Sequence, residues 1–197
     1  DHVATFNAAV KANATGFLSG AGAETDHTIT SDVTAAIADS VVVRALDVDV
    51  GARNLVDKPQ LDFLNAEGSA KALVGVAGAF SDTVLDLQTI VDVGDADIYV
   101  LGTVTDELVL RFHAENEINA AERIAFEAAG LGAGARVDTN IKALTLDAHI
   151  NVAAGALLDS AGGISMEARG KGDIDIKAAA EANGGVGVVI GTSEIDL

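Results

Sequence analysis

The chain has 197 residues, 49% of them hydrophobic but only 4% aromatic, so its apolar content is mostly Ala, Val, Ile and Leu, suited to thin stacked layers rather than a core of aromatics that each bury roughly 150 to 250 Å². Twelve basic against thirty acidic residues give a net charge of −18, which argues against nucleic acid and anionic membranes as partners because both need clustered Lys and Arg. There is no Cys and no run of 18 apolar residues, which excludes disulfides, thiolate metal sites and a membrane-spanning helix; with Asp as first residue and no signal pattern, the chain reads as a processed or excised piece.

From the N-terminus, the first element is a tract of small residues, Ala8 to Ala23 (AAVKANATGFLSGAGA). It recurs as LNAEGSAKALVGVAGA ending at Ala79, AAERIAFEAAGLGAGA ending at Ala135 and IKAAAEANGGVGVVIG ending at Gly191, each end 56 residues from the last. Ala-Gly-Ala closes the first three copies, and an acidic residue follows three positions on, at Asp26, Asp82, Asp138 and Glu194. A fixed period of this kind marks a repeat architecture.

Between the tracts the pattern has a period of two, which means strands. Ser40 to Val50 (SVVVRALDVDV) and Asp97 to Phe112 (DIYVLGTVTDELVLRF) alternate well, whereas Asn54 to Gln60 (NLVDKPQ), with the only Pro, does not fit. Asn119 to Gly130 reads locally as a helix with a Gly C-cap. The matching tracts, however, carry Gly68, Gly75, Gly184, Gly185 and Gly187, each costing a helix about 1 kcal/mol, so a strand is expected in all copies. The last period gives the clearest runs, Ile141 to Leu146, Ile150 to Ala154, Ile164 to Ala168 and Ile174 to Ala178, separated by Gly, Asn, Asp and Ser.

Short runs with connections too brief for crossover helices predict an all-β parallel β-helix (β-solenoid), one segment over 1–197 with about three and a half 56-residue repeats. If each period holds two or three coils at about 4.8 Å per coil, the result is a rod of roughly 35 to 50 Å. The rival, an antiparallel sandwich or barrel, has no need of the repeat. The small-residue tract is expected to be the closely packed side of each period, or the side on which a neighbouring rod packs.

Asp147 to Gly191 (DAHINVAAGALLDSAGGISMEARGKGDIDIKAAAEANGGVGVVIG) resembles the β-strand repeats of giant bacterial surface proteins, the filamentous-haemagglutinin-like and leukotoxin-type filamentous adhesins. The likeness is an AGA or AGG turn, a strand ending in Glu-Ala, and an Ala-rich stretch running into Gly-x-Gly; Lys11 to Ser40 looks like the same unit in another phase. The resemblance implies a right-handed β-helix, export, and a role as a structural or adhesive filament at the cell surface. Its partners are then copies of itself or adjoining repeats end to end, and a host or neighbouring-cell surface or polysaccharide. It carries over no catalytic residue.

Residue chemistry adds no enzyme. His2, His27, His113 and His149 lack metal-ligand spacing and are expected on the surface or in turns; no Gly-x-Ser-x-Gly elbow accompanies the scattered Ser and Asp residues. Asp92, Asp95 and Asp97, or Asp47 and Asp49, offer paired acids of the kind used by carbohydrate-acting β-helix enzymes, but alternating Asp also simply marks a solvated strand face. Gly184 to Gly187 is no phosphate loop. Oxygen ligands keep calcium open, although neither the GGxGxD nonapeptide nor an EF-hand loop occurs. Catalytic, cofactor-binding and metal residues are therefore assigned as none, and a structural fibre segment is expected, with a carbohydrate-acting or carbohydrate-binding β-helix as the alternative.

Overall fold

The computed structural model describes residues 1–60, 64–102 and 110–197. Its elements are all strands: β1 (His2–Thr5), β2 (Val10–Ile37), β3 (Val42–Ala45), β4 (Val48–Lys58), β5 (Ala66–Val93), β6 (Asp97–Val100), β7 (Leu110–Val152), β8 (Leu157–Ser160) and β9 (Ile164–Asp196). Part of the expected Asp97 to Phe112 strand, 103–109, lies outside the described residues. Asn119 to Gly130 is strand, within β7.

Every pairing among the described residues is parallel. One sheet runs β1-β4-β7-β5-β2 with β9 also on β7, and a small one runs β3-β6-β8. The large sheet curls until its walls face each other in a nearly closed, barrel-like form, compatible with a β-solenoid. The ladders sort the chain into layers: β1 to β3, then β4 to β6, then β7 and β8, then β9.

Two expectations are corrected. The short runs are pieces of very long strands, 43 residues in β7 and 33 in β9, because neighbouring layers bend at the same places and the ladder continues round the corner. Gly170 to Asp173 bends β9 without ending it, whereas Gly155 and Gly162-Gly163 lie in the breaks on either side of β8. Secondly, a layer takes about one sequence period rather than half or a third of one, since Val10 pairs directly with Ala66. The outer layers are thus three spacings apart, roughly 14 Å.

The pairing offset is 56 residues between β2 and β5 (Ala23 with Ala79), 58 between Ala79 and Val137, and 54 between Val137 and Gly191. The third tract has therefore slipped by two: Ala135 lies between Ala77 and Val189. A slip of two keeps each side chain on its own face. It also separates like charges, because neutral Asn140 comes to lie between Asp82 and Glu194, while Asp138 sits between Phe80 and Thr192.

Inward residues on the two walls match in reverse order. From the wide end, Val91 and Val93 pack with Phe112 and Ala114; Thr89 donates to Asn116 Oδ1 at 2.6 Å; Leu85 and Leu87 pack with Ile118 and Ala120. Then comes a buried polar row, Thr25, Ser81, Thr83, Thr139 and Glu122, and finally Ala77 and Ala79 with Ile124 and Phe126. Apolar rows meet apolar rows and polar rows meet polar ones. Since an unmatched buried polar group costs about 1–3 kcal/mol, the polar rows fix how the walls align.

The small-residue tract lines the narrow end. Here the strand turns back so sharply that a Cβ at Gly75 would lie 3.0 Å from the Ala70 carbonyl oxygen, and one at Gly187 would lie 2.9 Å from that of Ala182. The expected close-packed side is therefore real, and its physical cause is contact of backbone with backbone inside one layer.

Candidate functional site

The outward side chains of β4, β7 and β9 form a charged face. Arg53, Glu115 and Arg169 are ladder neighbours, so their charges alternate along the stack. Arg53 Nε lies 3.8 Å from Glu115 and Arg169 3.1 Å from it. Glu117 accepts from Arg53 and, at 3.1 Å, from Lys171. Hydrogen bonds from Arg53 and then Lys171 outweigh desolvation and hold the Glu117 carboxyl down at about 2. A shallow groove of about 360 Å³ runs along Arg111, His113, Glu115, Glu167 and Arg169. Its cations are taken: Arg111 pairs with Asp49 at 3.4 Å and Arg169 with Glu115 and Glu167.

A second groove, about 620 Å³, lies on the outer face of β2, β5, β7 and β9 near the narrow end. It holds Lys11, Asn13, Ser69, Lys71 and Glu127 around a Lys11–Glu67 ion pair of 2.8 Å. Both grooves offer hydrogen-bond donors and acceptors side by side, the chemistry of a polar ligand.

Inside, Lys58 pairs with Glu122 and donates to Thr83 Oγ1 at 3.1 Å, both charged residues being excluded from solvent. Glu122 Oε1 has no partner. Half-buried His27 packs edge-on to Phe6, with ring centroids 4.9 Å apart, and burial followed by the nearby Lys58 charge lowers its pKa. Sequence reasoning missed this group. Lys58 belongs to the stretch that broke the pattern, Asn54 to Gln60, whose inward side chains include Asn54 and Lys58; far from interrupting the layer, Asn54 to Lys58 is strand, paired to β7 throughout and to β1 from Asn54 to Asp57. The signal available was a Lys at a period-two inward position.

The other sequence candidates scatter. All four His lie in strands, none in a turn: His2 contacts Ser31 Oγ at 2.9 Å, His113 lies 3.1 Å from Asp49 and His149 3.2 Å from Asp147, while His27 points inward. Asp92 and Asp47 are exposed, and Asp95 sits at the corner where its amide donates to Asp39 Oδ1 at 2.8 Å. Asp49 is engaged by Arg111 and His113. Among the described residues, no three His, Asp or Glu side chains are placed to hold a metal ion, and no helix is long and apolar enough to cross a membrane.

No family model, curated protein or solved structure matches the chain.

Proposed function

We propose that this chain is a structural segment of an extracellular or cell-surface fibre or filamentous adhesin, a right-handed β-solenoid with a nominal 56-residue turn, and that it performs no catalysis. The observation that carries the reading is the pair of open strand edges. Among the described residues, β2, of 28 residues, is paired only to β5, and β9, of 33 residues, only to β7. Long unpaired edges of this kind template further strands, so the partner is another layer, supplied by adjoining repeats or by a second copy end to end. The alternating column Arg53, Glu115, Arg169 supports it, since each charge is satisfied by the next layer.

The test is electron microscopy and fibre diffraction of the purified chain across a concentration series. Rods that lengthen with concentration and an axial reflection at about 4.8 Å are expected. Compact particles of constant size overturn the reading.

The 620 Å³ groove with Lys11, Asn13, Ser69 and Glu127 favours one alternative, a carbohydrate-binding or carbohydrate-acting β-helix. Screening acidic and neutral polysaccharides for binding and cleavage tests it, and no binding to any of them removes it.

A further inference from the structure

End-to-end stacking covers only the outermost layers, yet the inner layers expose apolar side chains sideways. Val76 of β5 is 60% exposed and Leu131 of β7 67%, although each strand is paired along both edges. Both lie on the outer side of the small-residue tract. No Asp, Glu, Lys or Arg occurs in 12–23, 72–79, 128–135 or 182–193, so on a chain of net charge −18 this face is one that another such chain can approach without meeting like charge.

The glycines of the face point the same way. A Cβ at Gly134 would meet nothing within 4 Å, and one at Gly20 would come no nearer than 3.8 Å to Val76 oxygen. Packing within the chain does not demand glycine there. Glycine weakens a strand and marks places where another backbone comes close.

From these we infer that the face is a lateral interface between two copies of this chain. The ladder partners across the four layers run Gly20, Val76, Gly134, Val188. Laying a second copy face to face about a two-fold axis parallel to the strands sets the first layer against the partner's fourth and the second against its third. Gly20 then faces Val188 and Val76 faces Gly134, each side chain entering a hollow. In the flanking columns the same operation sets Val74 against Gly132, Gly22 against Ile190 and Gly78 against Arg136, while Leu18 meets Val186 in an apolar contact of two side chains. Such self-complementarity is what an isologous dimer requires.

The natural absence of Cys makes the test clean. Val76→Cys and Gly134→Cys chains, purified separately and mixed under mild oxidation, are expected to form a disulfide dimer many times faster than a mixture with Asp92→Cys, an exposed outward position on β5. Sedimentation of the unmodified chain should reveal a dimer that Val76→Lys abolishes while the circular-dichroism spectrum of the folded β-sheet is retained. Equal cross-linking rates, a Val76→Lys chain that remains dimeric, or a face occupied only by added polysaccharide overturns the proposal. Open-ended assembly that Val76→Lys leaves intact supports the fibre reading while defeating this one, so the two fail separately.

Discussion

Lys58 of β4 and Glu122 of β7 form an ion pair across adjacent layers with neither side chain reaching solvent. Their strands are joined so that Lys58 pairs with Ala120, which brings the Glu122 carboxylate two positions farther along the inner face. The pair lies between two apolar clusters and helps to set the alignment of the walls.

Lys58→Ala leaves Glu122 buried and uncompensated, and is expected to lower stability by about 3–5 kcal/mol. Replacing both, Lys58→Met with Glu122→Leu, should restore most of the loss. Urea unfolding of the two single variants and the double variant measures the coupling; three additive losses would contradict a shared buried pair.

Two groups set the acid limit. Glu117 is lowered from 4.5 to about 2 by its bonds to Arg53 and Lys171, so its contribution is complete above about pH 4.5 and disappears as pH falls through about 2. His27 is lowered below 6.5 by burial and Lys58; the fold favours its neutral form, so stability present above 6.5 declines as pH falls below that value. Melting temperature should thus drop in two limbs. His27→Gln is expected to flatten the upper limb and Glu117→Gln the lower one.

Gly130→Ala places a Cβ against the Ala72 carbonyl and 2.9 Å from that of Leu73, both backbone atoms that cannot swing aside. Gly191→Ala meets nothing within 4 Å. The first should destabilise by more than about 1 kcal/mol and the second should be neutral or slightly stabilising, as read from thermal melts of both.

Asn140→Asp would complete a column of like charge with Asp82 and Glu194. A loss of roughly 0.2–1 kcal/mol is expected, shrinking as salt is added. Stability that is indifferent to salt in this variant would remove electrostatics as the benefit of the two-residue slip.

The strand character of Asn119 to Gly130 was legible only through its repeats, because Gly68, Gly75, Gly184, Gly185 and Gly187 in the matching tracts disfavour the helix that the local sequence suggests. The tract was legible through Ala-Gly-Ala. Strand length was not, since Gly residues such as Gly130 and Gly132 lie within a bend that sequence reads as a break. Nor was the slip, because moving Ala135 beside Ala77 leaves every side chain facing as before. Asn54 to Lys58 misled for a third reason: the inward polar groups find partners, Ser31 oxygen and Glu122, on strands distant in sequence.

The ladders join residues from 52 apart, as His2 with Asn54, to 62 apart, as Val48 with Leu110. Among the described residues there is no short-range strand pairing to begin with. The first layer must wait for the second, and the opening step bears the loop-closure entropy of more than fifty residues. Once two layers exist, every later one finds a finished template with its hydrogen-bonding groups already displayed. Folding is therefore slow to start and quick to extend, proceeding along the stack from whichever pair of layers forms first.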